Sequence, residues 1–223
     1  MAIGSLWQNH LSVICNNIGL LMREDGHYDE AIGQFARATE LIIPLTSRDP
    51  DNTDLRSVLG WTYDNDGETL MRWAKAQSNN RTDHLRQARD MLGKAREVRV
   101  TLAAMKPQWQ QDLTYTDASL AAVDGIELEM NGKNLEAAEG YVHAADLNQE
   151  VASASQRDDA IERTIEFDEW AAAAFTNAGA TDKARDQLQE AIDVANNHHS
   201  MAGNSDMAAI VTKLQGLLQA SQK

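Results

Sequence analysis

Residues 19–38, which read GLLMREDGHYDEAIGQFARA, decide the fold. Gly19 is followed by Ala31 after 12 residues, by Phe35 after four more and by Ala38 after three more. This spacing predicts two antiparallel helices, in which a small residue lets the backbones approach and one large side chain fills the space between them. The same intervals separate two further sets: Gly125, Ala137, Tyr141 and Ala144, and Ala172, Ala184, Leu188 and Ala191.

A fourth copy of the pattern begins at Gly67, and its first half is nine residues longer around the polar stretch 78–83. Its second half keeps the spacing in Ala88, Leu92 and Ala95. In the other copies a glycine between the halves is expected to end the first helix, and the Asp or Asn after it to cap the second. These glycines are Gly26, Gly132 and Gly179.

Four helical hairpins and a last helix are therefore predicted. Pro44 is expected to kink or end the second helix of the first hairpin, because proline lacks an amide hydrogen and clashes with the preceding turn. The first helices are expected near 5–24, 54–77, 109–130 and 158–177, and the second near 29–47, 83–105, 134–153 and 182–197.

A last helix is expected after a loop at 198–204, capped by Asn204 or Ser205. It would cover the open end of the stack with an apolar stripe of Met207, Ile210, Val211, Leu214, Leu217 and Leu218. We therefore predict one helical repeat domain over 1–223, with repeats at about 5–50, 53–106, 108–155 and 157–198 and a capping helix at 204–222. No cap precedes Trp7, which agrees with a fragment of a larger protein.

The composition supports an all-α fold and excludes several other classes. Only 3 of the 223 residues are proline and 5% are aromatic, which favours long helices over a sandwich or barrel. The single Cys15 excludes an internal disulfide and a cysteine-based zinc site, and it is expected to be a buried, inert thiol. No stretch has the roughly 20 apolar residues of a membrane span, and no Lys or Arg precedes Gly19 as in a secretion signal. We expect a cytoplasmic protein.

The net charge of −14 is concentrated in one part of the chain. Residues 112–190 hold 18 acids and 5 bases, whereas residues 81–106 hold seven bases and three acids. Both segments are expected to be solvated helix faces. A strongly acidic half repels phosphate backbones, so a nucleic-acid role is disfavoured.

The small-residue pattern and the Gly-His-Tyr-Asp-Glu-Ala turn at 26–31 resemble the tetratricopeptide repeat. The period differs, because successive copies begin 48, 58 and 47 residues apart, against 34 in the standard repeat. The motif Trp7-Gln8-Asn9-His10-Leu11 recurs at residues 109–113, about two periods later. The chain therefore resembles the long-period tetratricopeptide arrays of bacterial proteins. The resemblance implies a right-handed α-solenoid with a concave groove lined by its first helices.

No catalytic motif is present. The six histidines form no metal-binding pattern, and no glycine-rich phosphate loop occurs. We therefore expect no enzymatic activity, no cofactor and no metal.

The candidate site residues follow from the resemblance. In the family, an asparagine two residues before the repeat glycine can hold a peptide backbone, and those positions here are Asn17, Asn65, Val123 and Trp170. Asp64, Glu68 and Glu169 are expected to give the groove a preference for basic or neutral segments. Asp66 and Asp124 directly precede repeat glycines, where they either face the groove or lie in water after a register shift. Trp61 and Trp170 are candidate aromatic anchors, with core filling as the alternative.

Three functions are consistent with these residues. The first is a protein- or peptide-binding scaffold that uses the groove, without nucleic-acid or membrane partners. The second is a sensor domain that binds a small cationic peptide or metabolite and regulates an attached domain. The third is a self-assembly module, in which basic helix 83–105 of one copy meets the acidic face of residues 112–190 in another.

Overall fold

The computed structural model describes residues 3–76, 79–155, 157–202 and 205–221, which contain nine α-helices, one short 3₁₀ helix and no strand. The predicted all-α class of helical hairpins is confirmed. The α-helices are α1 Ile3–Glu24, α2 Tyr28–Arg48, α3 Thr53–Ala76, α4 Arg81–Met105, α5 Gln110–Met130, α6 Asn134–Ser155, α7 Asp158–Asn177, α8 Thr181–Ala202 and α9 Ser205–Ala220, and the 3₁₀ helix is Pro107–Trp109.

The helices fall into two compact units, Met1–Thr116 and Asp117–Lys223, and α5 begins in the first and ends in the second. In the N-terminal unit α1 packs against α2 and α3, α2 against α3, and α3 against α4. In the C-terminal unit α7 packs against both α6 and α8, and α8 packs against α9. Each unit is therefore built from helices that contact their neighbours in sequence.

The repeat glycines lie directly against the large residue of the same copy. A Cβ atom added to Gly19 would lie 2.6 Å from Cε1 of Phe35, and one added to Gly125 would lie 2.6 Å from Cε1 of Tyr141. At Gly67 the corresponding distance is 2.6 Å, to Cγ of Leu92. The pattern in the sequence therefore marks a real close approach of two helices. The alanines of all four copies are buried: Ala31, Ala38, Ala88, Ala95, Ala137, Ala144, Ala184 and Ala191.

Three of the hairpin turns have one geometry. Gly26, Gly132 and Gly179 have φ of +79°, +73° and +75°, values that favour glycine. The amide of Gly26 donates to the Arg23 carbonyl and the amide of His27 donates to the Met22 carbonyl, which is the Schellman pattern of helix ends. The expected helix-ending role of these glycines is confirmed.

The expected capping of the second helices is not observed at the first turn. Residue His27, not Asp29, precedes α2, and it makes no side-chain capping hydrogen bond. Asp29 lies one residue inside the helix, where its charge is favourable in the first turn.

Pro44, which was expected to kink or end its helix, does not end it. Helix α2 continues through Pro44 to Arg48. The neighbouring Ile42 and Leu45 are buried and form a cluster with Leu55 of α3, so packing on both sides of the proline holds this last turn in place.

The last helix covers an apolar surface of α7 and α8, as expected, although Leu217 of the expected stripe is 45% exposed. Met207 and Leu214 of α9 are fully buried in a cluster with Ile165, Leu188 and Ile192, and Ile210, Val211 and Leu218 pack against its edge. Helix α8 takes up residues 198–202 of the expected loop. The expected cap Asn204 lies outside the described residues, as does the side chain of Ser205.

Candidate functional site

The centre of helix α3 carries an unusual run of buried polar side chains. Six of the eight residues from Thr62 to Thr69 are polar or charged and less than 9% exposed. Buried charges are costly unless they are paired and hydrogen-bonded. Whether these side chains already have partners within the chain therefore decides whether they can bind a ligand. Its members are Thr62, Asp64, Asn65, Asp66, Glu68 and Thr69.

Asp64 is held by three donors from later helices. Nε and Nη2 of Arg99 lie 3.2 and 3.1 Å from its Oδ2, and the hydroxyl of Thr116 donates to its Oδ1 at 2.7 Å. The same guanidinium reaches Asp112 at 3.4 Å. Burial raises the pKa of Asp64 to about 6, and the charge of Arg99 opposes this rise.

Glu68 and Asn65 are also engaged within the chain. Arg23 of α1 forms an ion pair with the buried Glu68 at 3.3 Å. The side-chain amide of Asn65 donates to Oδ1 of Asn16, also at 3.3 Å. These contacts hold α3 against α1.

The expected roles of Asp64, Asn65 and Glu68 as groove-lining ligands do not fit this geometry. Asp64 and Glu68 are 1% exposed, and Asn65 is 5% exposed. Arginines of the same chain occupy the positions that a cationic ligand would take. These residues stabilise the packing of α3, and a ligand would first have to displace Arg99 or Arg23.

Asp66 and Asp124 have opposite environments. Asp66 is buried, and its Oδ1 accepts no hydrogen bond. Burial raises its pKa to about 7, and Lys94 opposes the rise. Asp124 is exposed, as expected from a register shift that leaves it in water.

The remaining predicted site residues lie at or near the surface of their own units. Asn17 of α1 is exposed, and Trp61 of α3 is partly buried. In the C-terminal unit, Trp170 packs edge-on against Tyr141 with ring centroids 5.6 Å apart, which agrees with the core-filling alternative. Glu169 pairs with Lys213 of α9 at 2.6 Å.

Comparisons with known proteins identify no family. No family model matches this sequence, and no curated protein matches it. Among solved structures, the chain is similar to the de novo designed helical repeat protein DHR64, with 14% identity, a TM-score of 0.33, and coverage of 98% of this chain and 94% of that chain. It is also similar to the DHF58 filament, with 16% identity, a TM-score of 0.33, and coverage of 100% and 95%. TM-scores of this size do not establish a shared fold. The all-α class of this chain is assigned from its own helices.

Helix α1 carries an exposed apolar stripe that was not predicted from the sequence. Trp7, Leu11, Ile14, Ile18 and Leu21 are between 38% and 69% exposed, and we call these five residues the α1 stripe. Leu6 beside it is 46% exposed. Large contiguous apolar patches on protein surfaces mark interaction sites. The candidate Asn17 lies at the edge of this stripe, between Ile14 and Ile18.

A second missed residue is Asp168, buried in the C-terminal unit. Gln187 donates to its Oδ1 at 2.6 Å, whereas its Oδ2 accepts no hydrogen bond. Burial raises the pKa of Asp168 to about 8, helped by the negative charges of Glu190 and Asp146 and opposed by the bond from Gln187. Asp168 lies four residues after Thr164, which is also buried, so the two side chains share one face of α7.

Three further features of the described residues bear on function. Over these residues no group of three or more His, Cys, Asp or Glu side chains could hold a metal ion. Among the described helices, none combines the length and the apolar character needed to cross a membrane. Cys15 is 3% exposed, so the expected buried thiol is confirmed.

Proposed function

We propose that this chain is a protein-interaction module of the tetratricopeptide-repeat type, and that it binds helical segments of a partner through the α1 stripe. The exposed apolar stripe is the observation that carries the proposal. A soluble domain gains stability by burying Trp, Ile and Leu, so five such side chains on one helix face are costly unless a partner covers them.

The repeat type is supported by the contacts of the small residues. Gly19 and Gly125 each lie against an aromatic ring 16 residues later, and a Schellman turn separates the two helices in both hairpins. Long periods are accounted for by helices of 20 to 25 residues. These features support a long-period array of the kind found in bacterial proteins.

The partner chemistry follows from the stripe and the charge of the chain. The stripe is apolar and its edge residue Asn17 is an amide, so a helical segment with apolar residues at three- and four-residue intervals fits it. Residues 1–22 carry no charge and the whole chain carries −14, which together favour neutral or basic segments over acidic ones. Asn17 is exposed and Trp61 is partly exposed, so both remain available to contact an extended peptide that is basic or neutral.

The test uses a synthetic, neutral helical peptide with Leu and Ile at heptad positions and a scrambled peptide as a probe control. Titration calorimetry should show binding of the heptad peptide to the wild-type chain. The double variant Ile14→Lys, Leu21→Lys should lose it, since two charges in an apolar contact must be desolvated. The matched control is Ile43→Lys on α2, where the native side chain is 40% exposed.

Two results would contradict the proposal. One is that the wild-type chain binds neither peptide at any accessible concentration and also shows no association through the stripe. The other is equal binding by the wild type, the double variant and the control, which would place the contact elsewhere.

A further inference from the structure

The five residues of the α1 stripe follow the spacing of a two-stranded coiled coil. The intervals from Trp7 to Leu11, Ile14, Ile18 and Leu21 are four, three, four and three residues. This is the heptad pattern of positions a and d, whose mean period of 3.5 residues keeps one narrow stripe facing a partner helix. The 15 residues from Trp7 to Leu21 extend over about 20 Å of helix. The stripe therefore has the geometry of a surface for one more helix.

Equivalent positions in α7 show that this face of a first helix is covered where an earlier helix packs on it. Aligning Ala172 with Gly19 places Ala160, Thr164, Phe167, Ala171 and Ala174 of α7 at the five stripe positions, and all five are at most 1% exposed. Helix α7 packs against α6 as well as α8, whereas α1 packs against α2 and α3. The α1 stripe is thus the exposed counterpart of a helix face that is buried in α7.

Helix α3 gives the same result. The stripe positions there are Leu55, Leu59, Thr62, Asp66 and Thr69, of which all but Leu59 are buried. A polar residue occurs at three of them. In α1 all five are large and apolar, a composition that favours association over exposure to water.

We infer that the α1 stripe is covered by the α1 stripe of a second copy of this chain, so that two copies pair helix to helix. This inference rests on the proposed function, and it identifies the partner of the α1 stripe as a second copy of the chain.

The charge distribution agrees with a second copy as the partner. Residues 1–22 contain no Asp, Glu, Lys or Arg, although the whole chain carries −14. Two α1 stripes can therefore meet without opposing like charges, whereas two copies of residues 112–190, with 18 acids and 5 bases each, would repel each other. The absence of basic residues here also disfavours an anionic lipid surface, to which basic amphipathic helices bind.

The apolar area agrees with a dimer of modest affinity. An aromatic side chain buries about 150–250 Å² when fully covered, and the partly exposed stripe with Leu6 removes on the order of 600 Å² per copy on the same scale. Standard interfaces bury roughly 800 Å² per partner, so flanking residues such as His10 and Asn17 complete the contact.

Sedimentation equilibrium over a range of concentrations tests the pairing. The wild-type chain should reach twice the monomer mass of 24.6 kDa. The variant Ile14→Lys, Leu21→Lys should weaken the dimer by roughly tenfold or more, a loss of about 1.4 kcal/mol or more. Ile43→Lys should dimerise as the wild type does. Circular dichroism should show equal helix content in all three proteins.

Oxidative cross-linking provides a second measurement that does not depend on a destabilising charge. In a Cys15→Ser background, Ile14→Cys should form an intermolecular disulfide, because Ile14 is the centre of the stripe and meets its counterpart in either helix direction. Ile43→Cys is the matched control and should not. Added salt should leave the dimer intact, whereas the pairing of helix 83–105 with residues 112–190 would weaken with salt.

The outcomes separate the inference from the proposed function. A wild-type chain that stays monomeric at every concentration, but binds the heptad peptide through the stripe, overturns the inference and leaves the proposed function standing. Equal dimerisation of the wild type and the stripe variant, or equal cross-linking at positions 14 and 43, also overturns the inference. Absence of both dimerisation and peptide binding overturns both.

Discussion

Gly19 and Phe35 are in direct contact across the first hairpin, because the Phe35 ring occupies the space that a side chain at position 19 would need. An added Cβ would lie 2.6 Å from Cε1 and 2.8 Å from Cζ of that ring. The absence of a side chain at Gly19 therefore makes room for the Phe35 ring. Replacing Gly19 with alanine, which adds one methyl group, tests this relationship.

Gly19→Ala should lower the free energy of unfolding by roughly 1–3 kcal/mol, because the ring must move in a packed core. Gly33→Ala is the matched control: Gly33 lies inside α2, and a Cβ there meets nothing within 4 Å. It should stabilise the chain by about 0.5–1 kcal/mol, since alanine loses less backbone entropy in a helix. Urea denaturation measures both, and equal stability of the two variants would show that the contact is unimportant.

The ion pair between Arg99 and Asp64 should show strong coupling. Arg99→Met leaves the buried Asp64 without its cation and should cost about 3–5 kcal/mol. Adding Asp64→Asn should restore part of that loss, because the remaining group is neutral and can still bond with Thr116. A double-mutant cycle by chemical denaturation measures the coupling, and strictly additive losses would contradict it.

Asp168 should make the chain less stable as the pH rises. Its pKa is raised from 3.8 to about 8 in the folded state, so the folded chain keeps a proton that the unfolded chain releases. The stabilising contribution is fully present below about pH 3.8 and is lost as the pH rises through about 8. Asp66 and Asp64, with pKa values raised to about 7 and about 6, act in the same direction.

The variant Asp168→Asn should therefore reduce the fall in unfolding free energy between about pH 5 and about pH 8. Asp186→Asn makes the same chemical substitution at an exposed position of the same unit, and it should leave the slope as in the wild type. Denaturant titrations at several pH values provide the comparison. Parallel pH profiles for the wild type and Asp168→Asn would rule out this role.

Removal of α9 should expose the apolar surface of α7 and α8. Deleting residues 204–223 should lower the melting temperature or cause association, because the cluster around Met207 and Leu214 is lost. A smaller change gives a controlled comparison: Met207→Ala should cost about 2–5 kcal/mol. Leu217→Ala, at a position 45% exposed, should cost much less. Equal melting of the truncated and complete chains would show that α9 contributes nothing.

The sequence was most informative where the determining contacts recur at short, regular intervals. The spacing of Gly19, Ala31, Phe35 and Ala38 reflects two adjacent helices and one turn, so the hairpins and their glycine turns could be predicted. The predicted bounds of 29–47 already carried α2 past Pro44, but the alternative that the proline ends the helix stayed open, because the outcome depends on the packing of Leu45 and Ile42 against a different helix.

The site was less predictable because its partners are distant in sequence. Arg99 is 35 residues from Asp64, and Arg23 is 45 residues from Glu68. No local pattern indicates which acid each arginine neutralises. The α1 stripe is different, since its heptad spacing and the absence of charge in residues 1–22 were both visible. What the sequence does not show is that α1, unlike α7, has this face exposed.

The burial of Cys15 makes it a natural reporter of motion at the N-terminus. It is the chain's one cysteine and is 3% exposed on α1. A thiol reagent can reach it only when α1 separates locally from the helices beneath it. The rate of its modification under native conditions therefore measures the opening of α1 in the unlabelled, wild-type chain, and a partner bound to the exposed face of this helix would slow that rate.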